Sequence, residues 1–119
     1  MEYNALFWEY LEKLIQENEI IIDRPKGTKH PKYENLIYVV DYGYIQNTKS
    51  MDNGCIDIFI GSEPNRKIDT IFCTIDMIKK DSEIKIAIGC TEDEKMKIYN
   101  FLNNSEYFKA ILVERKGNI

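Results

Sequence analysis

The sequence predicts a mainly-β domain of the α+β class, in which about five short strands form a small barrel or a strongly curved sheet. Apolar residues alternate with polar ones in short segments such as Ile56, Ile58 and Ile60, a pattern typical of strands with one buried face. Helical periodicity is confined to the two ends of the chain, unlike in a parallel doubly wound sheet. With 119 residues, 44% of them hydrophobic, residues 1–119 are predicted to form a single domain.

The helices and strands are predicted from local signals. Asn4 suits a helix N-cap, and apolar residues then recur at helical spacing until Asn18. A second helix is predicted from Thr91, which has Glu94 at capping-box spacing, to residues 103–104. Turn residues such as those at 53–54 separate β-branched and apolar runs. The predicted strands are residues 20–22, 36–40, 55–60, 71–78, 83–88 and 110–113.

Charge and composition exclude some classes of function. A net charge of −4 argues against a protein that binds nucleic acid over a broad basic face. The three cysteines lack paired CxxC spacing, which predicts reduced, buried residues. No segment approaches the roughly 18 apolar residues of a membrane span, and residues 1–4 lack the basic start of a signal peptide. We therefore expect a cytoplasmic protein that binds neither nucleic acid nor membranes.

Four aspartates lie in two pairs at the ends of predicted strands: Asp52 with Asp57, and Asp76 with Asp81. Carboxylate ligands without histidine or cysteine favour Mg²⁺, or Mn²⁺, over zinc, because hard oxygen ligands match hard cations. Aspartate is also common in turns, where its side chain bonds to the backbone. The spacing alone therefore leaves two interpretations open, a metal site and solvated turn residues.

A basic segment with nearby tyrosines precedes these aspartates. Residues 24–32 contain Arg24, Lys26 and Lys32, together with another lysine and the single histidine. Such cations bind phosphoryl oxygens through charge-assisted hydrogen bonds, so the segment is either an anion-binding loop or a solvated one. Strand alternation would place Tyr38, Tyr42 and Tyr44 on one face of the sheet, where their hydroxyls need partners if they are buried. Ordinary strand aromatics are the other interpretation of these three residues.

Taken in order, these motifs resemble the soluble, magnesium-dependent inorganic pyrophosphatases of the barrel type. Residues 23–34 are similar to that family's Glu-Ile-Pro-x-Gly segment running to Lys-Tyr-Glu, and residues 38–45 to its Tyr-Pro-x-Asn-Tyr-Gly-Tyr-Ile stretch. Residues 52–57 occupy the place of its signature Asp-Gly-Asp-Pro-x-Asp, and residues 76–81 reproduce its later aspartate pair. The resemblance covers roughly residues 20 to 88.

The resemblance implies a small five-stranded barrel of the oligonucleotide-binding type that hydrolyses pyrophosphate with Mg²⁺. Because related enzymes commonly self-associate, it also leaves a homo-oligomer open. The metal ligands would be Asp52, Asp57, Asp76 and Asp81, with Glu34 as a further metal contact. Catalysis would involve Asp52, Asp57 and Tyr42. The phosphates would be bound by Arg24, Lys26, Lys32, Tyr38 and Tyr42.

The chain departs from the family pattern at several positions. Gly54 stands where the family has the aspartate commonly assigned as the base for the attacking water. A hairpin that carries a phosphate-binding arginine is missing, and Arg24 is a candidate substitute. Glu83 replaces a lysine, and residues 107–109 match the family's late Tyr-Lys pair only loosely.

Two functions therefore stay open. The first is magnesium-dependent hydrolysis of pyrophosphate or a related phosphoanhydride by a metal-activated water. The second is a non-catalytic module that binds phosphate or a phosphorylated metabolite in the same pocket, because Gly54 removes the usual base. The acidic net charge disfavours a third function, the binding of single-stranded nucleic acid.

Overall fold

The computed structural model describes residues 3–116, in which one six-stranded sheet carries a helix on each face. In chain order the elements are α1 (Ala5–Gln16), β1 (Ile20–Arg24), β2 (Asp41–Ile45), β3 (Ile56–Ile60), β4 (Ile68–Asp76), β5 (Asp81–Ile88), α2 (Glu92–Leu102) and β6 (Phe108–Glu114). The strand order is β1-β2-β3-β5-β4-β6. Neighbouring strands are antiparallel except for β3 and β5, which are parallel.

Side chains alternate between the two faces and build two hydrophobic clusters. Trp8, Leu11 and Ile15 of α1 pack with isoleucines of the central strands. On the opposite face, Ile98 and Leu102 of α2 pack with apolar residues such as those at positions 59, 72 and 87. Because strand side chains have a period of two, each strand contributes alternate residues to the two helices.

Both predicted helices are confirmed, with their caps. The Asn4 side chain accepts a hydrogen bond from the Leu6 backbone N–H at 2.9 Å. Thr91 and Glu94 form the predicted capping box. The strands predicted at residues 71–78 and 83–88 form a hairpin, since β4 and β5 pair antiparallel in continuous register from Thr70 to Asp76. Local signals were sufficient here because the interactions themselves are local.

Two expectations about the sheet are corrected. Residues 36–40 do not form a strand, because the backbone of Leu36 and Tyr38 bonds to residues 27–30 and closes a loop that ends at β2. The sheet has six strands rather than five, and in residues 3–116 it is open, with β1 and β6 as its edges. The mainly-β α+β class is confirmed, whereas the described strands do not form the closed barrel that the resemblance implies.

The α2 face of the sheet holds most of its charged side chains. Asp57 lies two residues before Phe59 on β3, and Glu83 and Lys85 precede Ala87 on β5, so all three share the face of that apolar cluster. The register adds Asp76 opposite Asp81 at the β4–β5 turn. This polar part of the face extends beyond the apolar cluster that α2 covers.

Among residues 3–116, neither helix has the length and apolar character needed to cross a membrane.

Candidate functional site

A cavity of about 1010 Å³ lies on the polar part of the α2 face. The strands supply its charged floor, and the loop of residues 25–40 and the segment of residues 103–108 contribute to its walls. The described side chains that line this cavity come from all six strands, from the end of α2 and from four connecting segments, so only the folded chain brings them together.

Most of the site residues predicted from the sequence line this one cavity. All four aspartates do so: Asp52, Asp57, Asp76 and Asp81. So do the predicted phosphate-binding residues Arg24, Lys32, Tyr38 and Tyr42. Lys26 and Glu34 are exposed and lie outside the lining, and the backbone N–H of Lys26 donates to the Asp41 carboxylate at 2.9 Å.

Arg24 and two tyrosines form a stacked group at one side of the cavity. The Tyr38 and Tyr42 rings stack with their centroids 4.9 Å apart. The Arg24 guanidinium lies 5.6 Å from the Tyr38 ring centroid and 5.8 Å from that of Tyr42, and it donates a hydrogen bond to the Tyr38 hydroxyl. Cation–π contact and this hydrogen bond hold the guanidinium in place. A fixed cation is thereby presented at the β1 end of the cavity.

Tyr42 connects this group to the acidic part of the floor. Burial, followed by the charge of Asp57 and a hydrogen bond to it, raises the pKa of Tyr42 well above its ordinary value. The hydroxyl therefore stays protonated at neutral pH, so it acts as a hydrogen-bond donor.

Asp57 and Glu83 share the ammonium group of Lys85. Lys85 Nζ lies 2.6 Å from Asp57 Oδ2 and 3.6 Å from Glu83 Oε1. Only 9% of the Glu83 side chain and 11% of the Lys85 side chain are exposed. Burial raises the pKa of Glu83. The positive charge of Lys85 lowers this pKa, whereas the negative charges of Asp52, Asp57 and Asp81 raise it further. These acidic groups are therefore near enough to interact through their charges.

Asp52 and Asp76 each use one oxygen inside their own turn. Asp52 Oδ1 accepts from the Gly54 backbone N–H at 2.9 Å, and this bond lowers the pKa of Asp52. Asp76 Oδ1 accepts from the backbone N–H groups of Ile78 and Lys79, both at 2.9 Å. Both interpretations of these residues thus retain support, because a turn-forming carboxylate still has its second oxygen.

The carboxylates match Mg²⁺ in donor chemistry but are not gathered into a preformed site. Hard oxygen donors are the ligands that Mg²⁺ takes. Within residues 3–116, however, no three acidic, histidine or cysteine side chains come together closely enough to hold a metal ion, and the Lys85 ammonium already contacts Asp57. Mg²⁺ usually retains waters and binds phosphate oxygens alongside one or two carboxylates, so a phosphorylated ligand would have to supply the remaining donors for Mg²⁺ in this cavity.

Three cavity residues had no assigned role in the sequence analysis: Lys79, Glu83 and Lys85. Glu83 was noted there only as the replacement for a lysine. The alternation of Glu83, Lys85 and Ala87 gave their common face. The alternation could not reveal that β3 pairs in parallel with β5. This pairing places Asp57 beside Lys85, although the two residues are far apart in sequence.

No protein-family model matches the chain, and a search of curated proteins finds no match to it.

Proposed function

We propose that the protein is a magnesium-dependent phosphohydrolase of the inorganic pyrophosphatase type, acting on pyrophosphate or a related phosphoanhydride. One observation carries this proposal. Four aspartates expected as metal ligands line the same cavity as Arg24, Lys32 and a tyrosine pair. Membership in the barrel-type pyrophosphatase family belongs to the proposal and is supported by the ordered motifs of residues 20–88.

The residues divide into two groups by charge. Arg24 and Lys32 would bind the phosphate oxygens, as guanidinium and ammonium groups do through charge-assisted hydrogen bonds. Asp52, Asp57, Asp76 and Asp81 would hold the Mg²⁺ that accompanies the substrate. When bound, Mg²⁺ would neutralise phosphate charge and lower the pKa of a coordinated water. Tyr42 would keep Asp57 oriented through its hydroxyl.

Hydrolysis requires one water and a group that takes its proton. The water oxygen forms a bond to one phosphorus atom, the bridging P–O bond breaks, and the second phosphate leaves. Asp52 is a candidate acceptor for the proton, since the hydrogen bond from Gly54 lowers its pKa and leaves it ionised at neutral pH. A lowered pKa also makes it a weak base, so slow turnover is expected.

The test is phosphate release from pyrophosphate with Mg²⁺, in the wild type and in Asp57→Asn. We expect Asp57→Asn to reduce the rate about a hundredfold, the range for loss of one catalytic electrostatic group. Asp93→Asn, an exposed aspartate of α2 that pairs with Lys97, is the matched control and should keep the wild-type rate. Equal rates for wild type and Asp57→Asn would reject this site. Because Asp57 is paired with Lys85, the exposed Asp52→Asn provides a second variant that is less prone to misfold.

A non-catalytic phosphate-binding module is the second candidate, and two observations favour it. Gly54 has no side chain to act as a base, and the Asp57 carboxylate is occupied by Lys85. In that case Mg²⁺ with pyrophosphate would raise the melting temperature without any release of phosphate. Phosphate release that depends on Asp57 would exclude this alternative.

A further inference from the structure

We infer that the ligand of this cavity carries a planar ring besides its phosphates, as a nucleoside diphosphate does in its magnesium complex. This inference rests on the proposed phosphate-binding function and names its ligand class. The cavity of about 1010 Å³ is at the upper end of the range for drug-sized ligands, about 300–1000 Å³. Inorganic pyrophosphate alone would leave much of this space to water.

A series of aromatic rings leads from the core to the cavity entrance. Tyr42 contacts Phe59 in the core, with centroids 4.8 Å apart, and stacks on Tyr38. His30 stacks on Tyr38 at 6.0 Å, and the Tyr33 ring lies 5.1 Å from His30. The inner rings are held by packing, whereas Tyr33 is 56% exposed and lines the cavity. The outermost ring of the series thus offers a free face to a ligand.

A second exposed ring comes from a different part of the chain. Tyr107, which is 51% exposed, lines the same cavity from the segment between α2 and β6. Exposed aromatic rings at a cavity bind planar rings by stacking, which tolerates different bases because every base has a π face. Two such rings, on two separate segments of one cavity, are more than pyrophosphate can use.

His30 lines the cavity with its Nδ1 engaged as a hydrogen-bond acceptor. Its Nδ1 accepts from the backbone N–H groups of Lys32 at 3.0 Å and Tyr33 at 3.3 Å. With Nδ1 as an acceptor, a neutral imidazole carries its proton on Nε2 and can donate from there. Arg24 and Lys32 line the same cavity. The aromatic series therefore lies beside the cations proposed to bind phosphate.

The experiment compares ligands that differ only in the ring. Dissociation constants are measured by calorimetry, with Mg²⁺, for ADP and for ribose 5-diphosphate, which is ADP without its adenine; inorganic pyrophosphate is the third ligand. We expect ADP to bind about fivefold to a hundredfold more tightly than ribose 5-diphosphate, as stacking of one base contributes in other proteins. Tyr33→Leu should remove most of this ratio and leave pyrophosphate binding unchanged.

Tyr10→Leu is the matched control, because Tyr10 is an exposed tyrosine of α1, 66% exposed, that does not line this cavity. It should keep the wild-type ratio. Equal affinity for ADP and ribose 5-diphosphate, with pyrophosphate still bound, would overturn the ring-binding inference and leave the proposed function standing. The same loss in Tyr33→Leu and Tyr10→Leu would also overturn it. Binding of none of the three ligands would overturn the proposed function and this inference together.

Discussion

Asp52 and Gly54 belong to one tight turn that brings a carboxylate to the cavity. The Ser50 backbone N–H donates to the Gly54 carbonyl at 2.7 Å, and Asn53 has a positive φ of 70°. Gly54 itself does not have a positive φ. A side chain at position 54 would meet Asp52 Oδ1 at 3.1 Å from its Cβ. The backbone therefore permits a side chain here, provided that the exposed Asp52 carboxylate moves by a few tenths of an ångström.

Gly54→Asp is expected to increase the rate of pyrophosphate hydrolysis by about a hundredfold, the lower end of the range for general base catalysis. The new carboxylate would stand where the resembling family has its base, next to the ionised Asp52. Steady-state phosphate release with Mg²⁺ measures the effect. Gly54→Asn has nearly the same shape without a base and should not exceed the wild type. Equal gains in both variants would show that the turn geometry, rather than proton transfer, limits the reaction.

At the scale of secondary structure, α2 is fixed to the sheet by its first turn. The Glu94 carboxylate accepts from the Thr91 backbone N–H at 2.9 Å and from the Ser62 backbone N–H at 3.1 Å. Although burial opposes ionisation, the hydrogen bonds from Thr91 and Ser62 hold the pKa of Glu94 below its ordinary value of 4.5. One side chain thereby caps the helix and ties the loop after β3 to it.

Glu94→Ala should lower the free energy of unfolding by about 1–2 kcal/mol at neutral pH, because two backbone donors lose their acceptor. A lowered folded pKa means that this stabilisation is present above about pH 4.5 and is lost as the pH falls through the folded value. Urea denaturation at neutral pH and at about pH 3 tests this: the difference from wild type should shrink in acid. Glu106→Ala, an exposed residue outside both helices, is the control. A difference that is independent of pH would contradict the role of the ionised carboxylate.

The sequence was informative where the deciding interactions are local. The caps at Asn4 and Thr91 and the hairpin between β4 and β5 need only neighbouring residues. The strand predicted at residues 36–40 was wrong because its backbone bonds are made to residues 27–30, which no periodicity reveals. The four aspartates and Arg24 line one cavity, although no three of the described acidic, histidine or cysteine side chains come close enough to hold a metal ion. The Asp57–Lys85 pair was missed because it depends on strand order, a property of the whole sheet.

For the whole molecule, the balance of charge in the cavity decides which form of a phosphorylated ligand can bind. Its lining has six carboxylates, Asp23, Asp52, Asp57, Asp76, Asp81 and Glu83, against four cationic side chains, Arg24, Lys32, Lys79 and Lys85. The chain as a whole also has a net charge of −4. A free polyphosphate anion is repelled by this field, whereas its magnesium complex carries part of the neutralising charge with it.

We therefore expect pyrophosphate to raise the melting temperature only when Mg²⁺ is present. A ligand at about ten times its dissociation constant stabilises the folded state by about 1.4 kcal/mol, which corresponds to roughly 5 °C for a domain of this size. Differential scanning fluorimetry with pyrophosphate plus Mg²⁺, pyrophosphate plus chelator, and Mg²⁺ alone separates the contributions. Mg²⁺ alone should give a smaller shift, since no three of the described acidic, histidine or cysteine side chains form a preformed metal site. An equal shift for pyrophosphate in the presence of chelator would show that Arg24 and the lysines bind the anion directly, so that the carboxylates have no part in recruiting it.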